Sequence, residues 1–215
     1  MPADTGAKIL EAALELFREK GFEPATMREI AAKAEVATGA AYYYYSSKDA
    51  IVMDFYRQSC DEMQPKIAAA IAGAGTFETK LHELIRIKTE HFAPNRGVLR
   101  ALLRNGADPQ YPLSPFSTET RAIREIDLAW FREIQSSTKV PRDLEPHLPE
   151  VLWFFQMGLI YFWVIDPSPG QTRTGRLLVL STKSVATLLK LSSLPLMRPL
   201  RKVALEIILL VKGTS

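Results

Sequence analysis

A single cysteine, Cys60, stands in 215 residues. An internal disulfide is therefore impossible, and a small cross-linked secreted scaffold is excluded. The N-terminal MPADTGAKIL has no basic start, no apolar stretch and no small-residue cleavage site, so it does not read as a secretory signal. The cytoplasm is the expected compartment. Long apolar runs are also missing: the strongest, Val151 to Ile165, is interrupted by Gln156 and bounded by Glu150 and Asp166. That is too short to cross a bilayer comfortably and reads as a buried helix, with no membrane partner expected. Histidine is scarce, and His82, His91 and His147 have no partners at metal-ligand spacing, so neither a metal site nor a cofactor is expected. No nucleophile elbow, phosphate-binding glycine loop or dinucleotide fingerprint occurs, which leaves catalysis without a foothold and makes an enzyme the disfavoured class. Charge is nearly balanced, with 27 Lys and Arg against 24 Asp and Glu for a net +3. A mildly basic protein permits a nucleic-acid partner without requiring one.

What is present is helical periodicity. Apolar residues recur at helical spacing almost throughout, and no two-residue alternation is bounded by hairpin turns, so the chain is expected to be all-α. Ile9, Ala13, Leu16 and Phe17 form the inner stripe of a first helix that Gly21 can end. Phe77, Leu81, Leu84 and Lys88 repeat the pattern, as do Ile123, Ile126, Trp130 and Ile134. Thr26 and Glu29 have capping-box spacing. Gly106 can close a helix starting near Asn95, and proline-rich breaks fall at 109–115, 141–149 and 167–169. The composition changes near Ser46 to Asp49, which divides the chain into a small head, residues 1–47, and a larger helical body, residues 48–215.

The stretch from Thr26 to Tyr45, TMREIAAKAEVATGAAYYYY, holds a capped helix of about two turns, a break at Glu35 to Ala37 and a second short helix. This is helix-turn-helix spacing: Ile30 and Ala31 face inward, and the second helix has a face free to enter a major groove. Small residues at Ala31, Ala34, Gly39 and Ala40 allow close approach of backbones.

From Ile9 to Ile51 the chain resembles the DNA-binding domain of the TetR family of bacterial repressors. The resemblance rests on ILEAALELFREKGF from Ile9 to Phe22, on Thr26 opening the second helix, on the Ile30–Ala31 pair, and on Tyr42, Tyr44, Tyr45 and Lys48 after the turn. It implies that Thr26, Tyr42 and Lys48 touch phosphates of a double-stranded DNA operator. Thr38, Gly39, Ala40 and Tyr43 are then implied to face base edges. It also implies a homodimer on a palindromic operator, and release by a small, mostly apolar effector held in the body.

Two positions depart from the family pattern. Glu35 replaces the usual turn glycine, where a left-handed backbone costs a non-glycine residue on the order of 1 kcal/mol. Tyr45 replaces a phenylalanine, which is mild provided its hydroxyl finds a partner. The head is not basic either: to Lys48, six cations (Lys8, Arg18, Lys20, Arg28, Lys33, Lys48) face seven acids (Asp4, Glu11, Glu15, Glu19, Glu23, Glu29, Glu35). Few phosphate pairs and a shallow salt dependence are expected.

The body is dense in aromatic and sulfur side chains. Met63, Phe92, Phe116, Trp130, Phe131, Phe154, Met157 and Tyr161 are the candidate lining of an effector pocket, with Arg121, Arg124 and Gln156 as candidate polar contacts. For each one taken singly, core packing is the competing assignment. Residues 150–165 are apolar nearly all round, and Leu177, Leu180, Ser184, Leu188 and Leu191 share one stripe of the next helix, residues 173–192. Together they read as a four-helix dimer contact. The rival reading from another class is an all-α small-molecule carrier or enzyme whose head does not bind DNA.

Overall fold

The computed structural model describes residues 2–212, with side chains for 5–210, and no strand forms among the described residues. The helices are α1 (Pro2–Lys20), α2 (Met27–Lys33), α3 (Thr38–Tyr44), α4 (Lys48–Ala72), α5 (Phe77–Phe92), α6 (Arg96–Leu102), α7 (Arg121–Gln135), α8 (Leu148–Ile165), α9 (Thr172–Ser192) and α10 (Arg198–Lys212). The all-α fold is as expected. The chain divides into two compact units, one of Met1–Gln64 with His91–Arg124, the other of Pro65–Glu90 with Glu125–Ser215. The boundaries fall inside α4 at Pro65, near the end of α5 and near the start of α7.

In the first unit, α1 buries Ile9, Ala13 and Phe17. It ends at Gly21, whose φ of 94° is open to glycine and whose N–H returns to the Phe17 carbonyl. Ile30 and Ala31 of α2, Ala41 and Tyr45, and Ile51, Val52 and Phe55 of α4 close one apolar core, which continues into Val98, Leu102 and Leu113. The Arg18 guanidinium donates to Asn95 Oδ1 at 2.7 Å, tying α1 to the turn before α6. The proline-rich segment after Gly106 has no helix of its own but satisfies its backbone through hydroxyls. Ser114 Oγ donates to the Gly106 carbonyl at 2.7 Å and Thr120 Oγ1 to the Ser114 carbonyl at 2.7 Å.

In the second unit, Phe77, Leu81, Leu84 and Lys88 are all buried on α5, the lysine included. The α7 stripe differs from expectation: Ile126 is exposed and Asp127 takes the inward position beside Leu128, Trp130, Phe131 and Ile134. The reason is the buried lysine. Its Nζ contacts Asp127 Oδ1 at 2.5 Å and lies 5.1 Å from the Trp130 ring centre, while Gln156 Nε2 of α8 donates to Asp127 Oδ2 at 2.8 Å. A charge taken out of water must be paired, so Asp127 displaces a hydrophobe from the stripe. Only half of α8, which is long and apolar enough by composition to span a bilayer, is buried. Asp166 then pins the turn into α9. Despite burial, which favours its neutral form, bonds from the Thr174 hydroxyl and N–H and from the Ser168 N–H hold its carboxyl well below the ordinary range.

Two stability predictions follow from these contacts. Glu35 sits at φ 56°, so Glu35→Gly should stabilise the chain by about 1 kcal/mol in denaturant unfolding. Lys88→Met, which leaves Asp127 buried without its cation, should cost about 3 kcal/mol or more. The double change Lys88→Met with Asp127→Leu should recover most of that loss.

Candidate nucleic-acid interface

The head presents its second short helix through a capped brace. Thr26 has an extended backbone and accepts the Glu29 N–H at 3.3 Å, while Glu29 Oε2 accepts the Thr26 N–H at 3.0 Å and its hydroxyl at 2.6 Å. Both halves of the capping box are formed. Lys20 reaches Glu29 from the end of α1, at 2.5 Å, and this contact together with the Thr26 bonds lowers the Glu29 carboxyl from 4.5 to about 2. The turn that follows runs through Glu35 in the left-handed region, and the Val36 N–H bonds to the Ala31 carbonyl at 3.0 Å. The chain therefore makes the family turn without its glycine.

Helix α3 has seven residues and buries Ala41. Tyr45, just beyond it, is buried and donates from its hydroxyl to Asp54 Oδ2 of α4 at 2.7 Å. Burial, followed by that carboxylate, pushes the phenol pKa up and keeps the donor protonated. The opposite face is open: Thr38, Gly39, Tyr42 and Tyr43 are exposed, Tyr42 by 52% and Tyr43 by 85%, with Ala40 at the edge. Nothing lies within 4 Å of where a Gly39 side chain would start. Tyr44 is half-buried, its ring edge-on to Tyr43 at 5.4 Å.

The head's cations are largely spoken for. Lys33 bridges to Glu15 at 3.1 Å and Glu19 at 2.7 Å, so α2 neutralises the acidic face of α1. The Lys48 ammonium donates to the carbonyls of Phe22 at 2.7 Å and Glu23 at 3.0 Å and lies 4.6 Å from the Phe22 ring centre. It holds the α1–α2 turn onto the start of α4 through two of its three N–H groups. Arg28 is exposed on α2, next to Thr26, and pairs with no carboxylate among the described residues. In the sequence Arg28 stands out only as one of the head's six cations; its position at the first turn of a capped helix is the signal that marks it.

The candidate effector residues fall in both units. Met63 is buried, and Phe92 and Phe116 partly so, in the first; Trp130, Phe131 and Met157 are buried and Tyr161 half-buried in the second. The Tyr161 hydroxyl is buried without a hydrogen-bond partner among the described residues. Phe154 is exposed, on the same outward face of α8 as Val151 and Ile165. Of the candidate polar contacts, Arg124 donates to the Pro115 carbonyl at 2.6 Å and Arg121 is exposed. Gln156 is buried against Asp127, and its Oε1 is unpartnered. The sequence places Lys88 on the inner stripe of α5, but not its pairing with Asp127, because two opposite charges on separate helices carry no pattern until the fold pairs them.

Two family models match this chain. Residues 9–54 fit the bacterial regulatory proteins of the tetR family, and residues 80–205, more than half the chain, fit the tetracyclin repressor-like C-terminal domain. The chain belongs to the TetR family. It is a DNA-binding transcriptional regulator of that family. Among curated relatives, it is 22% identical over 140 residues to the HTH-type transcriptional regulator UidR of Escherichia coli, covering 65% of this chain and 71% of UidR. A TetR-family regulator from Syntrophomonas wolfei superimposes with a TM-score of 0.67 at 20% identity, covering 87% of this chain and 97% of the other. The fatty acid degradation regulator FadR of Bacillus halodurans does so with a TM-score of 0.62 at 18% identity, covering 86% and 93%. These likenesses establish the shared fold of this TetR-family regulator.

Glu29 gives the head a testable pH dependence. Its carboxyl titrates lower folded than unfolded, so its contribution is complete above about pH 4.5 and fades as the pH falls through about 2. The stability gap between wild type and Glu29→Gln should be constant near neutrality and shrink as the pH falls from 4.5 toward 2. A gap that does not change over this range contradicts the assignment.

Proposed function

We propose that the chain is a repressor that binds a palindromic operator as a homodimer and is released by a small, mostly apolar effector in the body. The reading is carried by the outward face of α3, where Thr38, Gly39, Tyr42 and Tyr43 are exposed together on a helix whose other face is buried. Such a face suits the major groove: the Thr38 and Ala40 methyls match thymine methyls, and Gly39 lets the backbone approach. Thr26, Tyr42, Lys48 and Arg28 are assigned to phosphates, which position the head without reading sequence. With Lys20 and Lys33 occupied by carboxylates, few counterions are released and the salt dependence is shallow.

The dimer reading draws on two outward apolar faces in the second unit. Val151, Phe154 and Ile165 line one side of α8, and Leu180, Leu188 and Leu191 one side of α9, all exposed. A soluble monomer seldom leaves such faces to water. Phe154 is therefore assigned to the dimer contact rather than to the effector. Two-fold symmetry presents two α3 helices to major grooves about 34 Å apart. For release, the effector must favour a conformation with wrongly spaced heads; about 3 kcal/mol of differential affinity weakens operator binding on the order of a hundredfold. The compartment that goes with this reading is the cytoplasm.

The test is a gel-shift titration on DNA flanking the gene at two salt concentrations. Specific binding, weakened at least tenfold by Tyr42→Ala and by Tyr43→Ala with circular dichroism unchanged, supports the reading. Binding that ignores both changes overturns the assignment of the α3 face, and no specific binding to any fragment overturns the reading in favour of a carrier or enzyme.

A further inference from the structure

The last helix carries an apolar face for which the dimer contact above has no use. α10 leaves α9 at 99°, and the Arg201 guanidinium fixes it from one side, through Asp143 Oδ2 at 2.7 Å and the Ser192 carbonyl at 2.6 Å. Ala204, Leu205 and Ile208 lie on that same partly covered side. The opposite side is apolar and open: Leu200, Val203, Ile207 and Leu210 are each more than half exposed. Leu191 and Leu194 continue the exposed line back around the corner into α9, where the proposed dimer face lies.

We propose that α10 pairs antiparallel with α10 of a second copy of this chain, adding a helix pair to the dimer contact on which the reading above rests. The steps along the exposed stripe are three, four and three residues, the same from either end. An antiparallel pair centred on Leu205 therefore sets Leu200 against Leu210 and Val203 against Ile207, and the two-fold repeats both contacts. Lys202 and Glu206 are exposed on one flank of the stripe, so the lysine of each helix comes beside the glutamate of the other. A lipid surface fits this face less well, because an interfacial helix flanks its apolar side with cations. Here Glu206 interrupts the flank and Arg201 is turned inward.

The experiment is sedimentation velocity over a concentration series on the full chain, alone and with vesicles of phosphatidylglycerol. Comparison variants are Val203→Lys with Ile207→Lys on α10, and Leu188→Lys on α9. The expected result is a dimer whose dissociation constant rises at least tenfold in the α10 variant, with helix content unchanged. In addition, co-expressed Val203→Cys and Ile207→Cys chains should form a disulfide-linked dimer on oxidation. A dimer unaffected by the α10 changes but lost in Leu188→Lys overturns this inference and leaves the α8–α9 reading standing. A wild-type monomer at every concentration removes both. Wild type that sediments with vesicles, but not when Val203 and Ile207 are changed, overturns it in favour of a lipid-facing helix.

Discussion

Seven residues make two turns of helix, too little to persist in water without tertiary support. The DNA-reading candidate α3 therefore exists only through what it buries, and it buries little: Ala41 within the helix and Tyr45 at its end. The phenol of Tyr45 anchors that end to Asp54 of α4, so the orientation of α3 is set by α4 as much as by α2. A phenylalanine would fill the same volume but leave the tie unmade. The Lys48 ammonium closes the other side by gathering the Phe22 and Glu23 carbonyls of the α1–α2 turn. Two contacts at the start of α4 thus fix both sides of the reading head, and a displacement of α4 must move both.

The same economy governs charge. A head with more acids than bases is a poor DNA ligand by net charge, yet net charge is not what the DNA side presents. Glu15 and Glu19 are bridged by Lys33, and Glu29 is held by Lys20 and Thr26 on the cap. Neutralising α1 from α2 holds the two helices together and leaves the α3 face uncharged. On the proposed reading, discrimination would rest on hydroxyls, methyls and aromatic rings, and orientation on a few phosphate contacts. In the proposed homodimer, affinity built this way would come from two heads held at the right spacing more than from one head's electrostatics.

The head was far more legible in the sequence than the body, for a physical reason. Its turn, cap and core contacts are local: Thr26 meets Glu29 within one turn, and the helix-turn-helix forces Ile30 and Ala31 inward whatever else the chain does. Even the two departures were readable as questions, and the fold answered them. Glu35 takes the left-handed conformation, and Tyr45 finds Asp54 for its hydroxyl. In the body, apolar periodicity placed the helices but misjudged one face of α7. Periodicity ranks Ile126 above Asp127, and only the pairing of Asp127 with a buried lysine on another helix reverses that order.

That buried pair constrains what the body can do. Lys88, Asp127 and Gln156 join α5, α7 and α8 through one charged contact and one hydrogen bond inside an otherwise apolar core. A hydrophobic triplet of similar volume would often serve stability as well or better, so the contribution we propose for the polar set is alignment: any other register of the three helices would leave a buried charge unpaired. Because α8 also carries an outward apolar face, whatever fixes its register fixes where Val151, Phe154 and Ile165 are presented to the second subunit of the proposed dimer. The core contact and the proposed dimer surface are thus opposite sides of one helix. An effector that disturbed the first would reposition the second, which is the kind of differential contact that a ligand needs to shift a two-state equilibrium.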